Sequence, residues 1–205
     1  MRYITEFIGT FFLVLTVGMT VLEPHSAGLF APLAIGLVLA VMIYAGAHIS
    51  GGHYNPAVSL AVFLRKKLSL KDLMLYWGVQ FLAAIVAAYV TTYLKGQPLT
   101  APLHLDTTKA LLAEFLFTFA LCYVVLNLTT LKATKDNCFY GLAIGFTVVV
   151  GAYAVGAISG AAFNPAVALS IALINFISWS SIWVFFVASI AAALAAHFLV
   201  KKEKA

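Results

Sequence analysis

Two asparagines offer the clearest chemistry in this sequence, because each stands in the same short phrase. Asn55-Pro-Ala-Val58 follows His48-Ile-Ser-Gly-Gly-His-Tyr, and Asn164-Pro-Ala-Val167 follows Ala157-Ile-Ser-Gly-Ala-Ala-Phe. A neutral amide carries two N–H donors and one acceptor oxygen. If both amides face one water-filled space, the oxygen of a water or an alcohol accepts from both and is held in one orientation.

Each phrase is also a signal for the start of a helix. Proline at the first helical position loses no hydrogen bond, and asparagine just before it is a favoured N-cap. Two helices that meet at these ends bring two partial positive charges, each about half an elementary charge, to one point, where they repel cations and hydronium. The motif residues are Asn55, Pro56, Ala57, Asn164, Pro165 and Ala166. The carbonyls before the caps predict a ladder of acceptors, formed by Gly51, Gly52, His53, Gly160, Ala161 and Ala162.

The elements that position these residues must lie in a membrane. Apolar residues make up 63% of the chain and charged residues 9%, and the mean hydropathy is +1.04. A hydrocarbon core of roughly 30 Å is crossed by about 20 apolar residues. Suitable runs lie near 4–22, 29–49, 73–94, 110–131, 138–158 and 179–200. Shorter runs, 55–64 and 164–175, start at the Asn-Pro pairs and can cross only half a bilayer.

The sequence is an internal repeat, since the two phrases align at a constant offset and Glu6-Phe is echoed by Glu114-Phe. Each copy holds three full spans, so the second copy enters the membrane from the opposite face. We therefore expect one transmembrane domain, 1–205, built from inverted repeats of about 1–97 and 105–205. The first apolar run is expected to be a span and not a removable signal, because no polar cleavage region follows it.

Basic residues predict the orientation of the chain. Of the 12 Lys and Arg residues, only Lys95 and Lys109 fall on the face opposite to the others. Because positive charge accumulates in cytoplasmic loops, both termini are predicted to be cytoplasmic, in a plasma or inner membrane. The pI of about 9.2 then reflects the basic residues on one face of the membrane. For this reason, no nucleic-acid partner is expected.

These residues resemble the aquaporins, the major intrinsic protein family of water and glycerol channels. The resemblance rests on the doubled Asn-Pro-Ala, the His-Ile-Ser-Gly lead-in and the two Glu-Phe pairs. It implies an all-α membrane protein of six transmembrane helices and two re-entrant half-helices, assembled in the lipid bilayer as a homotetramer with one pore in each monomer. It also implies that Asn55 and Asn164 are the central pore asparagines, that Glu6 and Glu114 brace the re-entrant loops, and that His53 lines the cytoplasmic mouth.

The chain departs from this family at the outer constriction. Val167 stands where members usually have arginine, and the other three filter positions, at the family's spacing, are Ile35, Ala152 and Ala161. A shift of one residue in the alignment would instead bring Tyr153 into the filter. The implied function is passive passage of water and small uncharged solutes, such as glycerol, urea, ammonia or hydrogen peroxide, through a wide, apolar filter.

Two alternatives remain open at this stage, and the expected topology disfavours a third. Inverted repeats and broken helices also occur in secondary transporters. A closed, purely structural member of the family is a second possibility. An intramembrane serine protease would need Ser159 near His197, but the expected topology separates them by a bilayer's thickness.

Cys122 and Cys138 are expected to be packing residues without a disulfide, and neither a metal site nor a cofactor is expected.

Overall fold

The chain folds into eight α-helices and three single 3₁₀ turns within the residues that the structure describes, which are 1–96, 101–134 and 136–200 of the computed structural model. The long helices are α1 (Arg2–Val21), α2 (Ala31–Ser50), α4 (Leu70–Lys95), α5 (Thr107–Thr130), α6 (Tyr140–Ser159) and α8 (Ile182–Leu199). The short helices are α3 (Pro56–Leu64) and α7 (Pro165–Leu173).

The six long helices are long and apolar enough to cross a membrane. Only 28% to 39% of the most apolar window of each helix is buried inside the protein, so the rest of each apolar surface is left to face lipid. The predicted fold class, six spans and two half-helices, is confirmed. Several boundaries differ by a few residues, as at α4, which begins at Leu70 and not at residue 73.

Helices α3 and α7 are half-spans because of how they begin and end. Nine residues rise about 14 Å, roughly half the thickness of a hydrocarbon core. Both begin at a proline that follows an asparagine cap. The predicted run 164–175 is too long, because α7 ends at Leu173 and Asn175 adopts a left-handed φ of 58°, which a continuing helix does not allow.

The two halves of the chain pack as equivalent units. Helix α1 packs on α4 in the first half, as α5 packs on α8 in the second. Each half-helix also crosses to the other half, since α3 packs on α8 and α7 on α4. Helices α2 and α6 meet at Gly36 and Gly145, where a Cβ on Gly36 would lie 2.5 Å from the Gly145 carbonyl oxygen. Only glycine permits this close approach of the two backbones.

The connections between helices are held by specific hydrogen bonds. Lys95 donates to the carbonyls of Leu22 and Pro24, at 2.7 and 2.6 Å, and so ties the α1–α2 connection to the end of α4. In that connection, hydrogen bonds from Ser26 hold the pKa of Glu23 below its ordinary value. Leu103 donates its backbone N–H to the Phe176 carbonyl at 2.8 Å. Some residues of the sequence predictions lie outside the described residues: Lys135, Lys201, Lys202 and Lys204.

Candidate functional site

A cavity of about 510 Å³ lies inside the helix bundle and reaches from the α5–α6 connection to the junction of the two half-helices. Both motif asparagines lie in its wall, at the junction between the two half-helices. Lys132 and Asn137, from the connection between α5 and α6, line one end. Most of the remaining wall is aliphatic, including Leu39 and Val125. The cavity therefore has a small number of polar groups on a mostly apolar surface, which is typical of sites for small molecules.

Each asparagine caps the N-terminus of its own half-helix and also donates a hydrogen bond to the opposite loop. The Asn55 side-chain oxygen accepts from the Ala57 N–H at 2.8 Å, and the Asn164 oxygen accepts from the Ala166 N–H at 2.9 Å. The Asn55 amide donates to the Phe163 carbonyl and the Asn164 amide to the Tyr54 carbonyl, both at 2.9 Å. These reciprocal bonds fix both amides, and each amide keeps a second N–H.

The first re-entrant loop is held by Glu6, which is fully buried. One carboxylate oxygen accepts from the Ser50 hydroxyl at 2.7 Å and from the His53 N–H at 2.9 Å. The other accepts from the Tyr54 N–H at 2.7 Å and from the Gln80 amide at 2.9 Å. Consecutive backbone N–H groups that converge on one anion form a stable binding concavity, so this loop can remain non-helical at membrane depth.

Glu114 binds the second loop in the same way. It accepts from the Ser159 hydroxyl at 2.6 Å, from the Ala162 N–H at 3.0 Å and from the Phe163 N–H at 2.7 Å. Glu114 and Ser159 are both fully buried. The Ser159 hydroxyl donates its hydrogen to this carboxylate, so Ser159 supports the loop. The geometry therefore gives no support to the protease alternative.

The two re-entrant loops have the same backbone conformation. Gly51 and Gly160, which end α2 and α6, have φ values of 93° and 85°. Tyr54 and Phe163 both have a φ of 49°, a strained value for large side chains. This strain is compensated by the glutamate hydrogen bonds and by close packing, since a Cβ on Gly9 would lie 2.2 Å from the Tyr54 ring.

Three of the four predicted filter residues line the cavity: Ile35, Ala161 and Val167. Ala152 does not line it; α6 lines the cavity through Tyr140, Ile144 and Val148, the last of which lies one helical turn before Ala152. The alternative filter residue, Tyr153, is also absent from the wall. Its side chain is 54% exposed, and its hydroxyl donates to the Leu29 carbonyl at 2.7 Å.

All but one of the residues of the predicted carbonyl ladder line the cavity. Gly51, Gly52, His53, Ala161 and Ala162 lie in the wall. Gly160 does not, and a Cβ built on it would lie 3.3 Å from the Phe176 ring. The Gly160 end of the second loop is therefore packed against the connection that follows α7, away from the cavity wall.

Sequence analysis missed a polar cluster behind His53. The Gln80 amide donates to the Ser59 hydroxyl at 3.0 Å, and Ser59 lies 3.1 Å from His53 Nδ1. The Tyr76 ring packs on the His53 ring with 5.2 Å between centroids, and its hydroxyl donates to the Ser50 carbonyl at 2.6 Å. A lone glutamine in an apolar span was the available signal, because such a side chain needs a partner inside the bundle.

The cavity wall also bears on the transporter alternative. Among the described residues that line it, none is acidic. Both buried glutamates are turned into the loops that they support. The basic residues of the wall are His48, His53 and Lys132, so the described wall offers no carboxylate as a coupling group.

Comparisons with known proteins agree with this architecture. The sequence model described as "Major intrinsic protein" matches residues 1–200. Aquaporin NIP1-1 of Oryza sativa subsp. japonica is 35% identical in an alignment that covers 95% of this chain and 71% of the relative. Glycerol uptake facilitator protein-like 6 of Lactiplantibacillus plantarum is 32% identical in an alignment that covers 98% of this chain and 96% of the relative.

A solved structure shows the same fold. The aquaglyceroporin from Plasmodium falciparum superposes with a TM-score of 0.79 at 23% identity, covering 96% of this chain and 93% of that one. At this identity the likeness concerns the arrangement of helices. Together with the match of the sequence model over almost the whole length, it means that this multi-pass membrane protein belongs to the major intrinsic protein family.

Proposed function

We propose that this protein is a passive channel for water and small uncharged solutes. One observation carries the proposal: two asparagine amides, locked to each other's loops, meet in the wall of a central cavity. The second N–H of each amide can donate to the oxygen of a passing molecule. The relatives named as an aquaporin and as a glycerol uptake facilitator support the same function.

The same geometry supplies a barrier to ions. The N-termini of α3 and α7 meet at Asn55 and Asn164, and their partial positive charges oppose cations there. A water molecule that accepts from both amides cannot pass a proton along the chain of waters. Because Val167 replaces the usual arginine, this central barrier has to exclude protons without help from an outer cation.

The filter is proposed to be wide and apolar. Ile35, Ala161 and Val167 present no side-chain donors, so a polar solute that loses its water shell there receives little compensation. Small solutes with few hydrogen-bonding groups should pass most easily. Water, glycerol, urea, ammonia and hydrogen peroxide remain the candidate solutes.

The proposed assembly is a homotetramer in a plasma or inner membrane, with both termini on the cytoplasmic side. The apolar outer faces of the six spans fit lipid and neighbouring copies of the chain. Arg2, Arg65, Lys66, Lys67 and Lys71 all lie at the end of the bundle assigned to the cytoplasm, and this placement supports the orientation.

Stopped-flow light scattering on proteoliposomes tests the channel function. Vesicles are shrunk with an impermeant sugar and then with glycerol, against empty liposomes and against a variant plugged by Ile35→Trp. We expect rapid shrinkage in sugar and rapid re-swelling in glycerol, and neither in the plugged variant. Flux equal to that of empty liposomes in both gradients would refute the proposal.

A further inference from the structure

A chain of hydrogen-bonded side chains leads from a buried carboxylate to the cavity wall. The Gln80 amide nitrogen lies 2.9 Å from Glu6 Oε2 and 3.0 Å from Ser59 Oγ. Ser59 Oγ in turn lies 3.1 Å from His53 Nδ1. Glu6, Ser59 and Gln80 are fully buried, whereas His53 lines the cavity. The chain therefore joins the support of the first loop to the solute path.

Glu6 fixes the orientation of the Gln80 amide. An ionised carboxylate only accepts hydrogen bonds, so the NH₂ group of Gln80, and not its oxygen, has to face Glu6. The second N–H of the same group then donates to Ser59. In this orientation Gln80 Oε1 is buried without a hydrogen-bond partner among the described residues. The two hydrogen bonds of the NH₂ group, one of them to a charged group, offset that cost.

The Ser59 hydroxyl is given a direction by this amide. Its oxygen accepts from Gln80, so its hydrogen can donate to His53 Nδ1. A proton on Nδ1 would reverse this bond and leave the Ser59 hydrogen facing two donors. The network therefore favours a neutral imidazole that carries its proton on Nε2.

The Nε2 side of the His53 ring faces the solute path. A Cβ built on Gly51 would lie 3.0 Å from His53 Nε2, and both residues line the cavity. The Tyr76 ring packs edge-on against the His53 ring, with 5.2 Å between centroids, and limits its rotation. A neutral ring held in this way offers a donor beside the cavity and adds no positive charge there.

We propose that Gln80 is a positioning residue of the channel: through Ser59 it holds His53 neutral, with the Nε2 proton presented to the solute path. This inference rests on the proposed channel function, since the donor would serve the oxygen of a passing water or neutral solute. The corresponding residues of the second repeat, which cannot form such a chain, are Ser189, Ala168 and Ala162.

Solid-state nitrogen NMR of the protein labelled at its histidines reads the tautomer directly, with His53 assigned by comparison with His53→Gln. At neutral pH we expect Nδ1 without a proton and Nε2 with one. Gln80→Met keeps the length of the side chain but removes both N–H groups, so the Ser59 hydroxyl can turn round. Protonation of His53 should then become about tenfold easier, seen as a titration midpoint about one pH unit higher.

Ser59→Ala is the control, because it interrupts the chain between Gln80 and His53. In that background Gln80→Met should leave the His53 midpoint unchanged. An effect of Gln80 that acts through Glu6, or through a general loosening of the loop, would persist there. The comparison of the two backgrounds therefore isolates the path through Ser59.

The other titratable groups around His53 stay constant in this comparison. Glu6 faces it from α1 and Tyr76 from α4, and His48 and Lys132 lie in the same cavity wall. Water permeability is measured against pH in a His48→Gln background, which removes the second histidine of the wall. It should be nearly constant between about pH 5.5 and 8 and become sensitive to acid when Gln80→Met is added.

Several results would overturn the inference. These are a proton on Nδ1 of the unmodified protein at neutral pH, a midpoint that Gln80→Met does not move or moves equally in both backgrounds, and a permeability that stays insensitive to acid. Gln80→Ser, which carries the residue of the second repeat, replaces Gln80→Met if that variant fails to fold. The spectra need no transport, so a lack of water flux above empty liposomes would refute the channel function alone.

Discussion

At the scale of single residues, the two buried glutamates explain how irregular backbone persists at membrane depth. Both oxygens of Glu6 and both oxygens of Glu114 accept backbone N–H groups from the loops. An amide side chain cannot reproduce this arrangement, because each of the two carboxylate oxygens accepts a backbone N–H group. The two carboxylates therefore support the loops, and neither glutamate lines the cavity.

Glu6→Gln and Glu114→Gln test this role. Whichever way the new amide is turned, its NH₂ group faces a backbone N–H that previously donated to oxygen. We expect each variant to lose about 2–5 kcal/mol of stability, seen as a lower midpoint of thermal aggregation in detergent. Glu23→Gln, which changes an exposed carboxylate, is the control and should have a small effect. Unchanged midpoints for both buried glutamates would show that the anions are unnecessary.

Val167→Arg tests the contribution of the missing outer cation. A guanidinium at this position would repel hydronium and add donors to the filter. We expect the proton-to-water permeability ratio to fall, as measured by an entrapped pH dye and by light scattering on the same vesicles. Val167→Met fills a similar volume without charge and should reduce fluxes without lowering that ratio. Equal ratios in the two variants would assign the exclusion of protons wholly to the asparagine pair.

At the scale of helices, the close contact of α2 and α6 depends on two glycines. A Cβ on Gly145 would lie 2.3 Å from the Gly36 carbonyl oxygen, too close for any real contact. We expect Gly36→Ala and Gly145→Ala to destabilise the fold by about 1–3 kcal/mol, through overpacking. Gly78→Ala is the matched control, because nothing lies within 4 Å of a Cβ there. It should be neutral or stabilising by about 0.5–1 kcal/mol in a thermal-shift assay.

The helices could be predicted from the sequence because their signals are local. Apolar runs set the spans, and Asn-Pro sets the starts of α3 and α7 to the residue. The ends were less certain, since the left-handed turn at Asn175 depends on packing after α7. The assignment of Ala152 to the filter, made from family spacing, stays a prediction, because the cavity wall on α6 ends one turn earlier, at Val148. The cluster of Gln80, Ser59 and His53 joins residues from different elements, which no local pattern reveals.

At the scale of the whole molecule, a symmetric scaffold carries an asymmetric set of polar groups. The two repeats share their helix packing, loop backbone and glutamate anchors. They differ in what surrounds the loops, because the first has Gln80, Ser59 and Tyr76 where the second has small or apolar side chains. The polar side chains behind the first loop are therefore a difference between two repeats that share one loop conformation.

The orientation of the whole molecule can be tested with its own cysteines. Cys138 is exposed beside Asn137 at the end of the cavity, whereas Cys122 is buried. If both termini are cytoplasmic, the connection between α5 and α6 is cytoplasmic as well. A membrane-impermeant maleimide should then label Cys138 in inverted vesicles and leave it unlabelled in intact cells. Leu29→Cys in a Cys138→Ser background is the reciprocal control, because Leu29 is 84% exposed on the opposite side of the bundle. Labelling of Cys138 in intact cells, together with protection of the cysteine at position 29, would reverse the assigned orientation.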